Sequence, residues 1–108
     1  MKQVIFHDEA TSELLDAVDY YEKQKPGLGI EFQSYVGKAV DSIVENPTIW
    51  SYYQETELQK YTIEKFPYLI FYVNDSELIW IMAIAHGKRR PNYWKNRLRS
   101  LSDGGERK

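Results

Sequence analysis

Apolar positions recur along this chain with two different periods, and the change from one to the other divides it. Val4–Phe6 is a short apolar run that predicts an opening strand. From Asp8 the spacing lengthens. Ala10, Leu14, Ala17, Val18 and Tyr21 fall at i, i+4, i+7, i+8 and i+11, the stripe of an amphipathic helix. Glu9, Glu13 and Asp16 lie largely off that stripe, which predicts a solvated acidic face, and acids near the first turn suit the helix dipole. Pro26-Gly27 and Gly29 stop the helix. The spacing then repeats in Phe32, Val36, Ala39, Val40 and Ile43, and Asn46-Pro47 closes that second stripe. Two matched helices joined by a short Pro-Gly loop predict an antiparallel hairpin with both stripes facing one surface.

After Pro47 the helical period disappears. Residues 58–66, LQKYTIEKF, alternate, with Tyr61, Ile63 and Lys65 on one face and Lys60, Thr62 and Glu64 on the other, as in a half-exposed strand. YLIFYV at 68–73 predicts a buried strand, Asn74-Asp75-Ser76 a turn, and LIWIMAIA at 78–85 a second buried strand, central in its sheet. Short turns between these three strands imply an antiparallel meander, one face of which receives the helical hairpin. The expected fold is therefore α+β: an N-terminal strand, a helical hairpin, then an antiparallel β-meander. Pro91 cannot continue a ladder, so the chain leaves the sheet there, and Tyr93–Leu98 predicts a short helical turn with Tyr93 or Trp94 returning to the core. One domain over residues 1–98 and a frayed tail over 99–108 complete the expected layout.

Charge changes this picture at one place. The 108 residues carry a net charge of −2, but residues 1–85 hold 6 basic and 14 acidic side chains, a net of −8. Residues 86–99 hold Lys88, Arg89, Arg90, Lys95, Arg97 and Arg99 against no acid, a net of +6. An acidic chain thus gathers its positive charge at the exit of one strand. The run Lys88-Arg89-Arg90 is either a solvated strand end or an anion-binding segment; guanidinium groups grip phosphate in bidentate fashion and aromatic rings stack on bases, so with Tyr93 and Trp94 the second reading gives an anionic target, a phosphate backbone or an acidic protein surface.

Other chemistry is sparse. There are no cysteines, which excludes disulfides and thiolate metal sites and makes a reducing cytoplasm the expected setting. The N-terminus becomes acidic too early for a signal peptide, and no apolar run approaches the roughly 20 residues of a membrane span. The two histidines, His7 and His86, are far apart and neither lies in an HExxH arrangement, so no metal or other cofactor is expected. The glycines form neither a Walker nor a GxGxxG loop. His86 is either a strand-end histidine with a satisfied hydrogen bond or a proton carrier. Tyr52 and Tyr53, beside Trp50 in a loop, are hard to bury all at once, and the group reads either as core or as an exposed aromatic patch for a partner.

With HDEATSELLDAVDYYEKQKPGLG, YLIFYV and IAHGKRRPNYW in view, the chain resembles the small toxins of the RelE/ParE superfamily of bacterial type II toxin–antitoxin modules over roughly residues 3–98. The last strand, ending in His, a basic pair and then Tyr-Trp, resembles the ParE-type branch of plasmid stabilisation proteins. The resemblance implies a compact sheet with a helical hairpin and a cognate antitoxin whose C-terminal segment neutralises the toxin. RelE-type members are ribosome-dependent endoribonucleases cutting mRNA; ParE-type members are associated with inhibition of DNA gyrase. On the nuclease reading, Arg89 matches a phosphate-contacting basic position and Tyr93 a displaced C-terminal tyrosine. Lys60 and Lys65 stand for the basic residues of the preceding strand, and His86 is a further helper. Leu69 departs from that pattern, since RelE-type enzymes carry arginine there. The resemblance therefore implies first a ParE-like, non-hydrolytic gyrase inhibitor. The alternatives are a metal-independent mRNA endoribonuclease acting with ribosome and mRNA, and a toxin-fold binding protein with little toxicity.

Overall fold

The computed structural model describes residues 2–53, 56–87 and 97. Strand β1 (Gln3–Phe6) leads into α1 (Asp8–Gln24) and α2 (Leu28–Glu45), followed by β2 (Gln59–Thr62), β3 (Tyr68–Asn74) and β4 (Leu78–His86). The sheet order is β1-β4-β3-β2, so the strand that reads as most continuously apolar is central, as the sequence predicts. β2, β3 and β4 form the expected antiparallel meander, and β1 adds to it in parallel, with Gln3 opposite Leu78 and Phe6 opposite Ile81. The sheet is therefore mixed.

Local chemistry explains the helix ends. His7 is extended and its Nδ1 accepts the Glu9 N–H at 3.1 Å, with Asp8 and Glu9 in the first turn of α1. The hairpin turn places Gly27 at φ 91°, a left-handed conformation that favours glycine. Glu22 then reaches across from α1, and its two carboxylate oxygens accept the Gly27 N–H at 2.8 Å and the Gly29 N–H at 3.0 Å. Those are among the donors that a helix start leaves without an internal partner.

Both helical stripes turn inward. Ala10, Ala17, Phe32, Val36, Ala39 and Ile43 are buried against Ile63, Phe66, Ile70, Tyr72, Ile79, Ile81 and Ile84 of the sheet side. Tyr21, Phe32, Phe66 and Tyr68 fill the centre as edge-on and tilted rings, with centroids 4.9–6.1 Å apart. The opposite sheet face carries a second apolar cluster of Leu58, Phe71, Val73, Met82, Ala83 and Ala85, with Tyr53, Leu69 and Trp80 beside it. Met82 and Ala83, neighbours in sequence, both belong to this cluster. Pairing slips there: Phe71 faces Ala83 while Tyr72 faces Ile81, so Met82 has no opposite number. A bulge that inserts one residue breaks the alternation of faces and turns two successive side chains the same way.

The structure departs from the sequence reading in two places. The strand expected over 58–66 ends at Thr62, because Lys65 takes φ 71° and the chain turns through residues 64–67. The acidic face of α1 is not wholly solvated either: Glu13 is only 17% exposed and holds an arginine. The expected turn over Tyr93–Leu98 and tail over 99–108 lie outside the described residues, except for Arg97.

Candidate functional site at the exit of the central strand

β4 leaves the sheet at His86. There the Gly87 N–H donates to the Pro67 carbonyl at 2.7 Å. Lys88, Arg89, Arg90, Tyr93 and Trp94 lie outside the described residues. His86 sits opposite Tyr68, their rings 5.2 Å apart. It lines a cleft of about 260 Å³ with Glu13, Asp16, Ala17, Tyr20, Tyr68 and Ile84, between α1 and the strand ends.

The remaining residues expected to serve a nuclease do not meet. Lys60 is exposed and pairs with Phe71, on the face opposite the helices. Lys65 stands on the helix side. Its ammonium lies 5.4 Å from the centroid of the Tyr35 ring, which also has the Lys38 ammonium at 5.0 Å, and 3.8 Å from the Glu31 carboxylate. The Tyr35 hydroxyl, and then the Tyr35 and Glu31 charges, hold the Lys65 ammonium above its usual range. Leu69, where RelE-type enzymes carry a cation, is half-buried opposite Ala85 and beside the second apolar cluster.

Arg97 is the residue that composition alone misreads. As part of the +6 run it would be a solvated cation, yet it is only 7% exposed. Its Nη1 and Nη2 donate to the two Glu13 oxygens at 2.9 and 2.8 Å, its Nε donates to Glu9 at 3.1 Å, and Nη1 also donates to the Met82 carbonyl at 3.1 Å. The same Glu13 carboxylate accepts the Ile84 N–H at 2.9 Å. A sequence signal for Glu13 does exist. With Ala10 and Ala17 it forms an i, i+3, i+7 set, placing an acid on the edge of the buried stripe.

The aromatic loop divides. Trp50 packs edge-on against Tyr61 at 4.7 Å and Tyr53 against Phe71 at 5.4 Å, while Tyr52 remains 59% exposed near the exposed Ile49. Leu15, Tyr20 and Ile30 are large apolar side chains left exposed on the hairpin. Among the described residues, no set of three His, Cys, Asp or Glu side chains is placed to hold a metal ion, and no helix is long and apolar enough to cross a membrane.

Among solved structures, the chain is similar in fold to one titled "Chromosomal ParDE TA system from P. aeruginosa". The TM-score is 0.70 at 17% identity, covering 80% of this chain and 96% of that one. No curated protein matches the chain. Residues 4–91 match the family described as the ParE toxin of the type II toxin–antitoxin system parDE, and the chain belongs to that family.

Proposed function

We propose that this ParE-family chain is a toxin that binds and inhibits DNA gyrase in the cytoplasm, and that an antitoxin partner neutralises it. The basic segment from Lys88, with Arg89, Arg90, Tyr93 and Trp94, is the surface that meets the target. The observation that favours inhibition over hydrolysis is Leu69. RNA cleavage without a metal needs several cations converging on the phosphate, and losing one such electrostatic donor typically costs roughly 10²–10³ in rate. Here the β3 position is an alkyl side chain half-buried beside Phe71 and opposite Ala85. Lys60 and Lys65, the other two candidates from that region, lie on opposite sides of the sheet. The net charge of −2 also lacks the broad positive field that draws proteins to ribosomal RNA.

The reading is tested by inducing the protein and comparing primer extension on cellular mRNA with supercoiling by purified gyrase. The expected result is inhibited supercoiling or trapped cleavage complexes, with filamentous cells and uncut mRNA. Codon-phased mRNA cuts that vanish in Arg89→Ala, with gyrase unaffected, would establish the endoribonuclease reading instead. Arg89→Ala with Arg90→Ala is expected to relieve growth inhibition while costing under about 0.5 kcal/mol of stability, as exposed surface changes usually do.

A further inference from the structure

Along the middle of α1 runs a row of carboxylates, and its neighbours on either side of Asp16 are already matched. Glu13 holds Arg97, Asp19 pairs with Lys23 one turn on at 2.9 Å, and Glu22 accepts two N–H groups of the hairpin turn. Asp16 lies between Glu13 and Asp19, is exposed, and among the described residues has neither a cation nor a hydrogen-bond donor. It lines the cleft of about 260 Å³ between α1 and the strand ends. Tyr20, one turn further along α1, and Tyr68 of β3 line the same cleft, with Ala17 and Ile84 as apolar wall. Every one of these residues belongs to α1, β3 or β4.

We propose that this cleft is a socket for one cationic side chain, and that the antitoxin supplies it. The second half of the proposal rests on the antitoxin partner of the proposed function; the first half does not. A carboxylate beside two tyrosine rings meets a positive charge in two ways, because the ring faces attract cations and the carboxylate accepts charge-assisted hydrogen bonds. The apolar wall suits the alkyl stem that carries such a charge. Arginine fits best, since its plane stacks on a ring while its edge meets a carboxylate. Glu13 is committed to Arg97, so Asp16 sets the preference for a single incoming charge. The volume lies below the roughly 300–1,000 Å³ of small-molecule pockets, which favours a side chain over a free ligand. Among the described residues no set of three ligating side chains stands ready for a metal ion instead. Charge complementarity points the same way at longer range, because residues 1–85 carry a net of −8. Tyr20 is also one of the large side chains exposed on the hairpin, so a segment lying on that surface reaches the rim of the cleft. One charged pair within a mainly apolar contact fixes the partner's register more than it supplies affinity.

Two probes test the socket without the partner. N-acetyl-arginine amide and N-acetyl-citrulline amide differ in charge but hardly in shape, and each is titrated into the isotope-labelled full chain. Amide shifts are expected to saturate with the arginine probe and to centre on residues 16–20 and 84–86. The response is expected to be about tenfold weaker with the citrulline probe, and with the arginine probe on Asp16→Asn. An equal response to both probes, or shifts as large at Asp41 and Glu45 of α2, would leave Asp16 a solvated carboxylate and overturn the proposal. The partner is tested in the toxin–antitoxin complex. Each Arg and Lys of the antitoxin is replaced by Gln, alone and together with Asp16→Asn. One of these cations is expected to cost about tenfold in affinity alone and nothing further beside Asp16→Asn. Losses that simply add at every cation would overturn the assignment of the socket to the antitoxin. If the parent toxin captures no antitoxin, the antitoxin reading itself fails and the partner falls with it, while the probe titration still decides the socket.

Discussion

Tyr72 shows how one side chain joins packing to titration. It is wholly buried, and its hydroxyl donates to the Pro47 carbonyl at 2.7 Å. That carbonyl also accepts Gln59 Nε2 at 2.8 Å, so two side chains from the sheet pin the loop after α2. Burial, and then the neighbouring Tyr52, push the Tyr72 hydroxyl far above the usual tyrosine range. The sign of the consequence follows from proton binding. An unfolded tyrosine loses its proton near pH 10, while Tyr72 in the folded chain keeps it. Above that pH the folded state binds more protons, so stability falls as pH rises; below it this group contributes no pH dependence. Tyr72→Phe is expected to cost about 1 kcal/mol at pH 7 through the lost hydrogen bond, since Gln59 still satisfies Pro47. The same variant is expected to lose less stability than the parent between about pH 9 and pH 11. Urea unfolding at these pH values decides it, and an equally steep alkaline loss in both proteins would mean that Tyr72 ionises as an exposed tyrosine does.

Within the helical hairpin, two glycines of α2 should respond to the same substitution with opposite signs. A Cβ on Gly29 would sit 2.5 Å from the Val18 carbonyl oxygen and 3.0 Å from the Glu22 side chain. Backbone must move, and the Glu22 cap on Gly27 and Gly29 moves with it. A Cβ on Gly37 meets nothing within 4 Å. Gly29→Ala is therefore expected to cost about 2–3 kcal/mol through overpacking. Gly37→Ala should gain about 0.5–1 kcal/mol, because alanine loses less entropy in a helix. Thermal unfolding of both variants checks the pair, and stabilisation by Gly29→Ala would show that the helices do not approach as closely as described. These elements were legible because periodicity reports burial directly: both helical stripes and the central apolar strand lie where their spacing puts them. What spacing did not report was the parallel placement of β1, which depends on a partner 75 residues away. The early end of β2 was likewise hidden, since it turns on Lys65 adopting a left-handed conformation that its residue type does not advertise.

Across the whole molecule, charge is segregated more sharply than its sum suggests, and Arg97 refines that division. The segregation itself was legible by counting. The spending of one cation on Glu13 was not, because a count assigns every charge to solvent and only the fold brings residue 97 against residue 13. Two binding surfaces of different character follow from the proposed function. Leu15, Tyr20 and Ile30 are exposed on the hairpin, an apolar character suited to a partner helix or extended segment. The basic segment instead suits an anionic target. Salt separates the two, because exposed charges are screened over about 10 Å at 0.1 M and about 3 Å at 1 M, whereas apolar burial is not weakened in this way. Raising NaCl from about 0.05 M to about 0.5 M is therefore expected to weaken gyrase inhibition by about tenfold or more. Capture of the antitoxin by the tagged toxin on co-expression is expected to survive the same wash. If the antitoxin elutes at the higher salt while gyrase inhibition persists, the assignment of the apolar and basic surfaces to their two partners is reversed.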